Sequence, residues 1–277
     1  MPNVKINTPW LFMVNAGALG DIVAATPTLK YAIENIWNKP DSIYNVMIKE
    51  YFIPLLHFVP ISRIRILGKE GFESKIATTA VWLNDIKDSP NGPTADINPL
   101  RMSLIDYASI KLLGTVLPLE HKNYPKISTN GTNISKFKLP ERYVCICATE
   151  VNKNRALPAA EIIKLSEYLL SVGITPVYLG KSERPFETFG AGTQYGVAPK
   201  AIPGVIDLID KTSLLEAAKV MAKSECVVGA DTGLIHLAAC SDVRIILLLY
   251  DCQTRSQNAC TPQSIRMELC TNCSRFG

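Results

Sequence analysis

The chain contains no run of 18 apolar residues, so no membrane-spanning helix is expected. Its first residues, MPNVKINTPWLFMVNAGALGD, lack a compact apolar block followed by a cleavage site and do not read as a secretory leader. Asn-x-Ser/Thr triplets begin at Asn130, Asn133 and Asn272, and without secretion they are coincidences. A cytoplasmic, reducing compartment is therefore expected. The eight cysteines then need a reading other than a disulfide framework. Charge is sparse: 19% of residues are charged, and 29 basic against 25 acidic groups leave +4. That excess is too small to announce a nucleic-acid binder, but it suits an anionic ligand. No Walker A sequence and no G-x-G-x-x-G follows a candidate strand, which counts against a dinucleotide oxidoreductase.

Hydrophobic residues make up 47% of the 277 positions. A disordered chain is excluded by that fraction, and two cores can be filled without staples. Short apolar runs alternate with helical patterns. Strands are expected at 11–14, 44–48, 63–67 and 80–83, and helices at 21–36 and 99–113. In the first helix Ile22, Ala25, Leu29, Ala32, Ile33 and Ile36 recur near a 3.6 period, while Pro27 predicts a kink or an irregular turn. Gly114 fits a helix C-cap. Residues 114–140 are rich in Pro, Gly, Asn and Ser and read as a connection.

A second alternating series follows. Strands are expected at 143–148, 174–179, 205–208, 226–229 and 245–250, with helices at 158–172, 212–223 and 232–240. Strand–helix alternation implies parallel sheets with right-handed crossovers. The expected architecture is α/β, with two Rossmann-like domains, 1–139 and 140–277, facing a cleft. Open α/β sheets bind ligands beyond the carboxyl ends of their strands.

Four loops sit at such ends. Asn15-Ala-Gly17-Ala-Leu-Gly20-Asp21 follows the first strand; its glycines permit a tight turn, and Asp21 suits a helix start. Asp21 also fits a simple N-cap. Gly229-Ala-Asp231-Thr232-Gly233-Leu-Ile-His236 runs from a strand through a turn into a helix. That setting aims backbone N–H groups at an anion, so the segment reads as a diphosphate cradle. His236 one turn later reaches a phosphate or ribose, or is a buried helix histidine bonded to backbone. Lys153 and Arg155, in the loop after the strand at 143–148, pair with phosphate or form a solvated basic loop. Lys181 and Glu183 follow the strand at 174–179, where the acid suits ribose hydroxyls or is an ordinary surface group.

Cys145, Cys147, Cys226 and Cys240 read as small core residues. Cys252, Cys260, Cys270 and Cys273 cluster near the end of the sequence. Cys270-Thr-Asn-Cys273 has the spacing of half a metal site, for zinc or iron, or belongs to a reduced or disulfide-bonded tail.

Gly20-Asp21 followed by Thr26-Pro27, and the stretch from Ile202 to Ala239 with its Asp231-Thr-Gly-x-x-His236 core, resemble glycosyltransferase family 9, the ADP-heptose:lipopolysaccharide heptosyltransferases. Leu179–Glu183 and the basic loop ending in Leu157-Pro158 fall in the family's order. The resemblance implies a GT-B fold and metal-independent, inverting sugar transfer from a nucleotide-diphosphate donor. No cofactor is required for that catalysis. Asp21 matches the general base, Arg155 the basic donor-phosphate residue and Glu183 the ribose acid. Asp231, Thr232, Gly233 and His236 match the donor motif. The chain has no Asp-x-Asp, in keeping with that chemistry. It departs from the family at Asn15, where an Arg is usual, and at Arg155-Ala-Leu-Pro158, which lacks an aromatic. The acceptor is left as glycan, protein or DNA. Alternatives are a phage-type GT-B enzyme modifying DNA bases, a protein O-heptosyltransferase that holds iron, and a non-catalytic nucleotide-sugar binder.

Overall fold

The computed structural model describes residues 11–13, 19–36, 44–47, 50–59, 64–66, 81–82, 104–149, 157–182, 199–230, 232–249 and 264–268. Contacts divide the chain into two compact units, Met1–Pro125 and Lys126–Gly277. Each is a parallel α/β unit, as the strand–helix alternation predicts.

The first unit contains β1 (Leu11–Met13), α1 (Leu19–Tyr31), β2 (Tyr44–Met47), β3 (Ile64–Ile66), β4 (Val81–Trp82) and α2 (Leu104–Leu113). Its sheet order is β3-β2-β1-β4 and every pairing is parallel. The α1 helix is buried along nearly its whole length, from Ile22 through Leu29. The kink expected at Pro27 does not interrupt it: α1 runs unbroken to Tyr31. Proline has no N–H for the carbonyl four residues back, here Val23. The Thr26 hydroxyl donates to that carbonyl instead, at 2.7 Å.

The irregularity comes later, as a π turn over Ala32–Ile36. A π turn inserts an extra residue and advances the helical phase. Ile36, expected on the apolar face, is accordingly 54% exposed, while Ala32 and Ile33 stay buried. Gly114 ends α2 as expected, at φ +72°, with its N–H donating to the Ile110 carbonyl. Lys122 pairs with Asp106 at 2.6 Å and ties the following segment to α2.

The second unit contains β5 (Tyr143–Cys147), α3 (Ala159–Ser171), β6 (Thr175–Leu179), β7 (Ile206–Asp207), α4 (Leu214–Lys223), β8 (Cys226–Gly229), α5 (Gly233–Ala238), β9 (Ile245–Leu249) and β10 (Ser264–Glu268). The order is β10-β9-β8-β5-β6-β7, all parallel. Residues 126–139 belong to this unit. The Ile127 N–H donates to the Cys240 carbonyl, Lys219 donates to the Thr129 and Thr132 carbonyls, and Lys136 pairs with Glu216.

All five β5 residues are buried, because both sheet faces are covered, as parallel sheets require. Val144 and Ile146 pack with Ile162, Leu169 and Tyr178 in the core under α3. On the other face, Tyr143 donates to the Val220 carbonyl of α4 at 2.8 Å. Ser166 donates to the Ile162 carbonyl, so its single proton is spent and Tyr178 donates to the Ser166 oxygen, at 2.8 Å. Ser213 and Glu216 close a capping box at the start of α4. Lys136 and the Ser213 N–H hold the Glu216 carboxyl below its usual range.

Among the described residues no helix is long and apolar enough to cross a membrane.

Candidate functional site

In a parallel sheet all carboxyl ends lie on one edge. In the first unit the chain moves from β1 to β2 and β3 on one side, then returns to β4 on the other. In the second it moves from β5 to β6 and β7, then to β8 on the opposite side of β5. Loops leaving two such strands diverge, and ligands of open α/β sheets bind there. Described residues of three sequence-predicted motifs follow strands at these two switch points. Gly20 and Asp21 follow β1, the loop from Thr149 follows β5, and Thr232–His236 follow β8.

The exit from β8 is tightly built. Gly229 stands beside Cys147, its register partner on β5. A Cβ at position 229 would lie 2.7 Å from the Cys147 Cβ and 3.2 Å from the Ile235 Cδ1. Glycine therefore lets α5 settle close against the strand ends. Helix α5 begins at Gly233, with Thr232 as its N-cap in an extended conformation. The Thr232 carbonyl accepts from the Ile235 and His236 N–H groups. Its hydroxyl makes no capping bond. Thr232 is only 7% exposed, and its Oγ1 is buried without a hydrogen-bond partner among the described residues. A buried hydroxyl left unpaired costs about 1–3 kcal/mol, so such an atom at a helix start calls for an external partner. The N–H groups of Gly233 and Leu234 precede the first intrahelical bonds, as at any helix start. His236 is buried at 4% exposure, and its carbonyl accepts a weak bond from the Cys240 thiol.

The exit from β6 carries Lys181. Gly180 lies at φ +158° against Thr149, where a Cβ would overlap the threonine side chain. The Thr149 hydroxyl accepts the Lys181 N–H at 3.0 Å. Ser182 donates its N–H and its hydroxyl to the carboxylate of Asp210, beyond β7. Lys181 Nζ lies 3.9 Å from the same carboxylate and is exposed. Sequence reasoning missed Thr149 and Asp210 as partners of this loop, because three separate strand ends bring them together.

The α1 helix starts at Leu19, so Asp21 is its third residue rather than its cap. A carboxylate in a first turn is still favoured by the helix dipole. Gly20 is buried within the same turn. Asn15, Gly17, Lys153, Arg155, Glu183, Asp231, Cys252, Cys260, Cys270 and Cys273 lie outside the described residues, as does the Asp21 side chain. A cavity of about 170 Å³ beside Lys30, Tyr31, Glu34, His121 and Tyr124 is at the far end of α1 from Gly20 and Asp21.

Cys145, Cys147 and Cys240 are buried and Cys226 is half-buried, and none of the four is in a disulfide. Burial pushes the thiols of Cys145 and Cys240 up to about 12. Such groups are protonated and unsuited to metal ligation. Among the described residues no group of three His, Cys, Asp or Glu side chains could hold a metal ion.

Residues 116–272, more than half of the chain, match glycosyltransferase family 9 (heptosyltransferase). The chain belongs to glycosyltransferase family 9. Its α/β architecture is shared with solved GT-B transferases. One is the iron-containing dodecameric glycosyltransferase TibC of enterotoxigenic E. coli H10407, with TM-score 0.66 and 15% identity over 93% of this chain and 64% of that one. Another is the ADP-heptose lps heptosyltransferase II of E. coli, with TM-score 0.64 and 16% identity over 96% and 92% of the two chains. The E. coli heptosyltransferase WaaC with ADP-2-deoxy-2-fluoro heptose gives TM-score 0.56 and 14% identity over 94% and 93%. The chain spans 64% of the length of TibC, and 62% of the TibC chain in complex with ADP-D-β-D-heptose. No curated protein matches it in sequence.

Proposed function

We propose that this family 9 member transfers a sugar from an ADP-heptose-like nucleotide-diphosphate donor to an acceptor hydroxyl, with inversion. The observation that carries the reading is the buried, unpartnered Thr232 hydroxyl at the start of α5, beside the β5/β8 switch point. A diphosphate supplies the acceptor oxygens that this hydroxyl and the adjacent helix N–H groups lack. Lys153, Arg155 and Lys181 supply positive charge, Glu183 accepts from the ribose, and Asp231, Gly233 and His236 complete the donor set. ADP-heptose compounds bound to heptosyltransferases of the same fold support this donor class.

In the transfer, Asp21 takes the acceptor hydroxyl proton as the oxygen forms its bond to the anomeric carbon. The bond from that carbon to the diphosphate oxygen breaks, and its electron pair leaves with the nucleoside diphosphate. Attack from the face opposite the leaving group inverts the anomeric centre. No metal takes part in these steps. Gly17 and Gly20 let the acceptor approach the backbone after β1. Asn15 offers no positive charge, so the acceptor need not be anionic, and glycan, protein and DNA acceptors are to be compared.

The location belonging to this reading is cytoplasmic, where nucleotide sugars are held. The deciding experiment incubates the purified chain with nucleotide sugars and follows donor turnover by mass spectrometry. Release of nucleoside diphosphate with transfer supports the reading. Binding without turnover, with every acceptor class supplied, would instead identify a nucleotide-sugar binding relative.

The similarity to an iron-containing relative favours a second point: Cys252, Cys260, Cys270 and Cys273 hold one structural zinc or iron. Elemental analysis of protein purified without added metal checks it. Less than about a tenth of an equivalent of both metals rejects the site.

A further inference from the structure

Asp210 is one of two described non-glycine residues with positive φ, at +60°. That conformation is costly for a residue with a Cβ, although Asp tolerates it better than most. A glycine there would avoid the cost, so a reason for a carboxylate should be visible in what it touches. Asp210 lies three residues past the end of β7. Its own N–H donates to the Gly180 carbonyl at 3.1 Å, which extends the β6–β7 pairing past the end of β6. The left-handed turn then holds the carboxylate over the Lys181–Ser182 loop. Both carboxylate oxygens receive the Ser182 N–H at 3.2 Å, and Oδ2 also receives the Ser182 hydroxyl. From the other side, the Thr149 hydroxyl takes the Lys181 N–H.

The backbone N–H groups of Lys181 and Ser182 are therefore committed to the protein. At its described residues the loop can therefore meet an anion through side chains, and among them Lys181 is the cation. The ammonium is 3.9 Å from Asp210 with 59% side-chain exposure, beyond a full hydrogen bond but within electrostatic reach. The carboxylate thus fixes the backbone that carries Lys181 and biases where its ammonium rests.

We propose that Asp210 is a positioning residue for nucleotide binding: its left-handed turn clamps the loop after β6 so that Lys181 stands ready at the carboxyl edge of the sheet. This rests on the donor-binding reading above and adds to it a residue outside the predicted set.

The test uses the full chain, with ADP as the probe in calorimetry and thermal unfolding measured alongside. Asp210→Gly keeps the φ +60° turn at lower backbone cost and removes only the clamp. Its melting temperature should hold or rise, while ADP affinity falls about 5- to 10-fold, the scale of a lost charged contact. Asp210→Asn, which keeps an acceptor for Ser182, should recover most of that loss. Because Asp210 acts through Lys181, the losses from Asp210→Gly and Lys181→Ala should not add in the double variant. ADP affinity within about twofold of the parent in Asp210→Gly, or additive losses in the double variant, overturns the proposal. If Asp210→Gly does not fold, Ser182→Ala, which removes the hydroxyl end of the same clamp, takes its place: it should lower ADP affinity, and its loss should not add to that of Lys181→Ala. A parent chain that binds ADP but is insensitive at Asp210 overturns this inference alone. A parent that binds no nucleoside diphosphate overturns the functional reading and this inference with it.

Discussion

The Thr26 hydroxyl donates at 2.7 Å to the Val23 carbonyl, the acceptor that Pro27 leaves unserved. Threonine followed by proline is thus a paired substitution for one missing backbone bond. It accompanies a buried α1 that continues through the proline to Tyr31. Thr26→Val keeps the shape and removes the donor, leaving a buried carbonyl unsatisfied. A loss of about 1–3 kcal/mol is expected in the denaturant midpoint. Thr26→Ser, which keeps the hydroxyl, should lose clearly less.

Thr232 gives a prediction of opposite sign for stability and binding. Its hydroxyl is buried and unpartnered, so Thr232→Val removes a desolvated polar atom at constant shape. The free protein should hold its stability or gain up to about 1–2 kcal/mol. If this hydroxyl serves the diphosphate as proposed, ADP affinity should fall about tenfold. A variant that binds ADP as tightly as the parent would assign the hydroxyl no ligand.

The glycine at 229 is tested by adding one methyl group. A Cβ there meets the Cys147 Cβ at 2.7 Å, and neither atom is the tip of a flexible side chain. Gly229→Ala should cost about 1–3 kcal/mol through forced displacement of β5 or α5. Because the displacement occurs at the β5/β8 switch point, ADP affinity should fall as well. Combining it with Cys147→Gly should restore part of both.

Buried thiols set an alkaline limit. The Cys145 and Cys240 thiols ionise at about 12 in the folded chain, against an ordinary value near 9. Between those values the unfolded chain releases protons that the folded chain keeps. The unfolded state therefore gains as pH rises, and stability is full below about pH 9 and falls toward 12. The loss should be about 1 kcal/mol per thiol from pH 9 to 10. Tyr143, also pushed up by burial, adds to it at higher pH. Urea midpoints across that range check the trend. At neutral pH both thiols should resist alkylation until the chain unfolds.

Much of the fold was legible because its signals are local. The runs YVCIC and CVVG are apolar throughout, as strands covered on both faces must be, and they form β5 and β8. Ser213 and Glu216 three residues apart mark the start of α4. The turn of Glu50–Leu56 and the strand Ser264–Glu268 went unread. The second carried a signal, since Ser264, Arg266 and Glu268 alternate with Ile265 and Met267. At the site, the segment after β8 was legible because strand, glycine and helix start are contiguous. The partnership of Thr149, Ser182 and Asp210 was not. Residues 28 or more positions apart meet there only because β5, β6 and β7 are neighbours in the sheet.

Asp21 as general base makes the sharpest demand on the proposed chemistry. The residue is third in α1, where the positive end of the helix dipole favours its ionised form. Asp21→Asn retains size and polarity and loses the charge. If the carboxylate serves only the helix, the variant should lose no more than about 0.3–1 kcal/mol of stability and keep its turnover. If it takes the acceptor proton, turnover should fall about 10²–10⁴-fold while ADP affinity stays within about twofold. With the donor site proposed in the second unit, the loss should appear in kcat. Melting temperature, calorimetry with ADP and transfer to the true acceptor separate the two roles. Normal turnover in a folded Asp21→Asn variant would move the base to another residue.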